Sequence, residues 1–243
     1  MPSMVTVFAI CAGLTSLRMS LEGHLETAPS LILLAVLLDA VDGKLARYLD
    51  TASPFGAELD TLADFFNFGI APAFILYHTL YLGTPSASIG WMAVMVLAVC
   101  CALRLARFNL SSKAAPSGAG NPDYFTGVPA PALACLALMP VFVHLSGWQT
   151  TDLPLLRAGY ITGVGMLAVS TIPTFSIKHA KITRAQLPAI ILVAIIAIIC
   201  LMSYPWPTLI AANCLYLASL PVCYMLHREH IKRLQTAHAY SAD

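Results

Sequence analysis

Long apolar runs separated by short polar or Pro/Gly-rich breaks dominate the chain. A helix crossing a bilayer needs about 20 predominantly apolar residues, and several runs reach that length. The pattern predicts eight such segments, roughly over residues 4–20, 28–47, 56–82, 88–107, 128–147, 154–176, 187–203 and 207–227. The longest polar stretch between them lies at about residues 108–127. The expected fold is therefore all-α, a polytopic membrane helix bundle of about eight transmembrane helices. No soluble domain fits in what remains, and no internal repeat of the kind many transporters carry is visible. Residues 1–243 are expected to form a single integral membrane domain.

Composition supports the pattern: 58% of residues are hydrophobic and only 10% charged, with a mean hydropathy of +0.78. An aqueous core cannot hide that much apolar surface. A net charge of +1 says little about partners, and no nucleic-acid partner is expected. The placement of basic residues is more informative than their number. With a cytoplasmic N-terminus, Lys44, Arg47, Arg104, Arg107, Lys113, Lys178, Lys181, Arg184, Arg228, Lys232 and Arg233 all fall at cytoplasmic ends, leaving Arg18 and Arg157 opposite. Trp91, Trp148 and Trp206 fall at the predicted outer ends, where an amphipathic indole is favoured. The seven cysteines lie in apolar spans without metal-ligand spacing and read as small hydrophobes. The seven histidines show no ligand pattern either. The opening Met1-Pro2-Ser3 lacks a basic n-region, so a cleaved signal peptide is not expected.

Ionisable residues at lipid depth are costly, which makes each one a functional candidate. Four carboxylates concentrate in the second and third spans, within Asp39-Ala40-Val41-Asp42-Gly43-Lys44-Leu45-Ala46-Arg47 and Gly56-Ala57-Glu58-Leu59-Asp60-Thr61-Leu62-Ala63-Asp64. At about 100° per residue, Asp39, Asp42, Gly43 and Ala46 share one helix face. Gly56, Asp60, Asp64, Asn67 and Ala71 share a stripe on the next. The loop from Tyr48 to Pro54 is short, so the helices run antiparallel, and residues at equal depth have numbers summing to about 103. Asp39 then faces Asp64, Gly43 faces Asp60 and Arg47 faces Gly56. The acids lie about 12 Å or less inside the cytoplasmic helix ends.

Four carboxylates converging at low dielectric repel one another unless cations neutralise them. Hard oxygen ligands suit magnesium, manganese or calcium rather than zinc. A two-metal site of this kind stabilises charge on a pyrophosphate and orients an in-line displacement. Small residues at Gly43, Ala46 and Gly56 leave bare backbone against which a nucleotide diphosphate can lie. Arg47 would neutralise phosphate charge. Small residues at helical spacing also serve ordinary membrane helix packing, and lone intramembrane acids serve ion pathways. The combination Asp-x-x-Asp-Gly-x-x-Ala-Arg, then eight residues, then Gly-x-x-x-Asp-x-x-x-Asp is far more specific than either.

That string, here Asp39, Asp42, Gly43, Ala46, Arg47, Gly56, Asp60 and Asp64, resembles the signature of the CDP-alcohol phosphatidyltransferases at every fixed position. The resemblance implies a six-helix catalytic core, two divalent metal ions (Mg or Mn, with Ca an alternative), a CDP-linked donor held by the first half of the motif, and a homodimer. The wider context is similar to the CDP-diacylglycerol-serine O-phosphatidyltransferases, through Ser53 to Asp64, Asn67 to Ala73, Ala102 to Asn109 and Phe125 to Pro131. One departure is Pro2-Ser3, where relatives commonly carry Pro-Asn.

By that resemblance Asp39, Asp42, Asp60 and Asp64 hold metal, and Asp64 also takes the proton from the acceptor hydroxyl. Gly43, Ala46, Arg47 and Gly56 bind CDP-diacylglycerol, a membrane lipid. The other substrate is serine, the products are phosphatidylserine and CMP, and the site faces the cytoplasm from a bacterial inner membrane. Arg104 and Arg107, three apart on one helix face, form a fork suited to a carboxylate acceptor, or serve as positive-inside anchors. Asn67 is a further candidate for the acceptor site. Phe125, Gly127 and Pro129 follow the long polar stretch and are placed to close over the site. Two alternatives stay open: the same chemistry with glycerol phosphate, inositol phosphate or choline, and an ion transporter with an acidic site.

Overall fold

The computed structural model describes residues 2–48, 53–114, 124–148, 153–170, 173–175 and 187–221. Helix α1 (Pro2–Leu21) packs along α2 (Thr27–Tyr48). The turn between them is set by Gly23, which adopts φ +81°. Its N–H donates to Ser20 O and the N–H of His24 to Met19 O, at 3.1 and 2.9 Å, closing α1 with the paired bonds of a left-handed glycine cap.

The third predicted span is one continuous helix, Pro54–Leu80, of 27 residues. It comprises α3 (Pro54–Asp64), a single wide π-helical turn (Phe65–Ile70) and α4 (Ala71–Leu80). The fourth span is α5 (Ala87–Ala114), whose start is fixed by the close approach of Gly90 to the Tyr81 ring: a β-carbon there would lie 2.1 Å from Tyr81 Cγ.

The fifth span is broken into α6 (Ala130–Ala137) and α7 (Met139–Leu145). Pro140 explains the break, because it has no N–H for the Leu136 carbonyl one turn back. That carbonyl accepts from the Tyr160 hydroxyl of α8 (Pro154–Val169), at 2.8 Å, as well as from a backbone N–H at the C-cap of α6. Helix α8 stops short of the predicted residue 176. A helical Pro173 would drive its ring against the Val169 carbonyl, and Pro173–Phe175 instead forms strand β2, paired antiparallel with β1 (Tyr124–Thr126). This small ribbon is a departure from the expectation of helices alone. The predicted span at 187–203 is α9 (Leu187–Ser203). A last helix, α10, is described over 205–221, and the end of the predicted 207–227 span lies outside the described residues.

The core gathers where α4, α5, α6 and α8 meet, with Phe68, Ile75, Leu76, Leu97, Leu133, Phe142 and Ile161 buried. Small residues allow the closest crossing: a β-carbon on Gly165 of α8 would lie 3.2 Å from Leu97 Cα of α5. Trp206 stacks on Phe142 at 5.8 Å and so packs on the core, whereas Trp91 and Trp148 are exposed. Among the described residues three helical stretches are long and apolar enough to cross a membrane: Met4–Leu21, Pro54–Leu80 and Ala87–Leu110. Large apolar side chains such as Phe8, Leu62 and Leu103 are exposed on these stretches, as Leu37 is on α2 and Ile198 on α9, where lipid rather than protein is the matching solvent. Of the basic residues used for orientation, those from Lys178 to Arg184 and from Arg228 to Arg233 lie outside the described residues, as does the Lys113 side chain.

Candidate active site

Ser53 starts the acidic helix: its Oγ accepts from Gly56 N at 3.0 Å, and Pro54 occupies the first helical position with its φ already suited to a helix. From that start Gly56, Asp60 and Asp64 climb one face at four-residue intervals. Asp39 and Asp42 sit three apart on α2. Asp39 and Asp64, set opposite one another by the depth arithmetic, lie side by side in direct electrostatic contact. With Asp60 they form a cluster whose three ligand oxygens all lie within 4.8 Å of one another.

Asp42 stands beside this trio, within electrostatic reach of Asp39 and Asp60. It is only 5% exposed. Its Oδ2 accepts a hydrogen bond from the Thr6 hydroxyl of α1, while Oδ1 is buried with no hydrogen-bond partner among the described residues. The donor set fits a hard divalent cation: it is all carboxylate oxygen, and one member holds a buried oxygen unsatisfied. At about 2.1 Å per bond, two oxygens on opposite sides of a magnesium ion lie about 4.2 Å apart, so oxygens within 4.8 Å need little adjustment to share ions.

The space beside the acids is open at Gly43, where a β-carbon would meet nothing within 4 Å. Gly56 is half-buried in the first turn of α3. Ala46 and Arg47 lie in the last turns of α2, and their side chains fall outside the described set. Asn67 lies further along the same continuous helix. It sits in the wide turn at Phe65–Ile70, where the 100° phase no longer holds, and its buried Oδ1 faces α1 at Gly13 without a hydrogen-bond partner. A β-carbon on Gly13 would lie 2.1 Å from that oxygen, so glycine is what admits the asparagine.

The two arginines separate. Arg104 approaches the cluster electrostatically through Asp64, and its Nε is buried without a hydrogen-bond partner among the described residues. Arg107 instead closes the C-terminus of α8, donating from Nη1 to Val169 O at 2.9 Å and from Nη2 to Ser170 O at 3.2 Å. Gly127, at φ +84°, fits against the same helix end; a β-carbon there would lie 2.7 Å from Ala168 O. The backbone of Phe125 lies in β1, and Pro129 caps α6. Sequence reasoning missed Thr6 and Gly13. The available signal was Thr6 as the one polar side chain, and Gly13 as the one glycine, within the stretch Met4 to Gly13 of the first span.

Residues 1–172 match the CDP-alcohol phosphatidyltransferase family. The chain belongs to this family. A second match, to the description CDP-alcohol phosphatidyltransferase 2, covers residues 184–221. Among similar proteins, a CDP-diacylglycerol-serine O-phosphatidyltransferase of Mycobacterium leprae is 43% identical over 176 residues, which is 71% of this chain and 57% of that protein. The Mycobacterium tuberculosis protein of the same name is 37% identical over 88% of this chain and 76% of its own length. The Bacillus subtilis protein of that name is 32% identical over 74% of this chain and 92% of its own. The chain thus spans little more than half of the Mycobacterium leprae relative.

Proposed function

We propose that this protein transfers the phosphatidyl group from CDP-diacylglycerol to L-serine, giving phosphatidylserine and CMP. The observation that carries the reading is the convergence of Asp39, Asp60 and Asp64 from two helices, with Asp42 beside them, on the residues of the family signature. Similar proteins named for serine transfer support serine as acceptor.

Asp39, Asp42, Asp60 and Asp64 would hold two divalent metal ions, magnesium or manganese. When bound, the ions neutralise pyrophosphate charge and favour loss of CMP. Asp64 accepts the proton of the serine hydroxyl as its oxygen attacks phosphorus; the new O–P bond forms as the bond to CMP breaks. Gly43 and Gly56 leave room for the diphosphate, and Arg47 sits at the same helix end to meet its charge. Arg104, whose Nε lacks a partner, offers a buried cation for the serine carboxylate, and Asn67 and Arg107 support the surrounding wall.

The chain is one integral membrane domain of about eight spans around a six-helix core. It works as a homodimer in a bacterial inner membrane with its N-terminus and site cytoplasmic. CMP release from CDP-diacylglycerol by the purified protein, with serine, glycerol phosphate, inositol phosphate or choline and with Mg or Mn, tests the proposal. Serine-dependent release supports it, and turnover of another alcohol without serine activity removes serine as acceptor.

A further inference from the structure

We infer that Thr6 is a positioning residue of the metal site, through which the first helix aims Asp42. The inference rests on the carboxylate metal site proposed above and adds to it a residue outside the signature. Thr6 and Asp42 are 4% and 5% exposed, so neither oxygen of the Asp42 carboxylate is solvated by bulk water. A buried carboxylate is tolerated only where its oxygens find donors or cations. The Thr6 hydroxyl donates to Oδ2. Oδ1 has no hydrogen-bond partner among the described residues, although it is buried beside Asp39 and Asp60.

The two oxygens therefore have different roles: one is anchored to α1, and the other is left as an open ligand. Anchoring one oxygen removes rotation of the carboxylate about χ2 and holds the free oxygen in place before a cation arrives. Outer partners of this kind orient ligands throughout metal sites. A methyl-for-hydroxyl exchange at Thr6 would leave α1 packed along α2 while freeing the carboxylate to turn. The role also explains how α1, which carries no acid of its own among Pro2–Leu21, contributes to the site.

The test is manganese binding by the purified full chain, followed by electron paramagnetic resonance titration, in wild type, Thr6→Val, Thr6→Ser, Thr6→Ala and Asp60→Asn. Thr6→Val and Thr6→Ala are expected to weaken manganese binding about tenfold or more, while Thr6→Ser stays within about threefold of wild type. Metal-free Thr6→Val should melt below wild type and metal-free Thr6→Ser close to it, because valine strips the donor from a buried carboxylate, and the KM for serine should not change in either. Wild-type manganese affinity in Thr6→Val, or equal loss in Thr6→Ser, would overturn the role of the hydroxyl. If Thr6→Val does not fold, Thr6→Ala against Thr6→Ser decides the same question. Asp60→Asn separates the two levels: unchanged binding in that variant refutes the metal site itself, whereas loss there with none in the Thr6 variants removes only Thr6.

Discussion

Gly43→Ala separates a helix's interest from a substrate's. Gly43 lies inside α2, and a β-carbon there would meet no atom of the described residues within 4 Å, which leaves room for the methyl. Replacing glycine by alanine within a helix favours folding by about 0.5–1 kcal/mol. For a chain of this size that corresponds to a melting temperature unchanged or raised by about 2–4 °C. The same methyl enters the space assigned to the nucleotide diphosphate, and overfilling a close contact costs about 1–3 kcal/mol. At 1.4 kcal/mol per factor of ten, KM for CDP-diacylglycerol should rise about 5- to 150-fold. KM for serine should stay near wild type. The assay is CMP release against the mole fraction of CDP-diacylglycerol in mixed micelles, paired with a thermal melt of the same preparation. A Gly43→Ala protein that melts lower than wild type, or that keeps the wild-type KM for the donor, would refute the reasoning.

Asp64→Asn removes the proposed base while keeping its shape, so kcat should fall by about 10²- to 10⁴-fold without loss of the folded protein; near-normal turnover would assign the proton to another group. Arg107→Ala deletes the two hydrogen bonds to Val169 and Ser170 and should lower stability by about 2–4 kcal/mol in a denaturant or thermal melt, a loss absent if the α8 end is closed otherwise. Gly127→Ala combines a left-handed backbone with a β-carbon 2.7 Å from Ala168 O, for about 2–5 kcal/mol of destabilisation, read as a lower melting temperature. Chelation of divalent metal should abolish CMP release and readdition of Mg or Mn restore it; full activity after exhaustive chelation would exclude the metal-dependent route.

The apolar runs were enough to locate the helices of Met4–Leu21, Pro54–Leu80 and Ala87–Leu110, because the length of a lipid-crossing segment is a local property of the chain. The carboxylate cluster was equally legible. Helical periodicity puts Asp60 and Asp64 on one face and Asp39 and Asp42 on another, and a short loop brings the faces together. What periodicity could not supply was the partner of each group across distant sequence. The Thr6 bond to Asp42 joins residues 36 apart, the Arg107 bond to Val169 joins residues 62 apart, and the Tyr160 bond that relieves the broken span joins residues 24 apart. The arginine fork expected to face an acceptor divided for the same reason: Arg104 and Arg107 share a helix face, but only packing against α8 decides that one of them closes a helix end. Phase along a single helix fails likewise at the wide turn of Phe65–Ile70, which points Asn67 toward Gly13. The sequence by itself determined the spans and the acids, since both follow from spacing along one chain. Only the tertiary structure decided which oxygen of Asp42 is anchored and which is open, because that choice belongs to a hydroxyl on another helix.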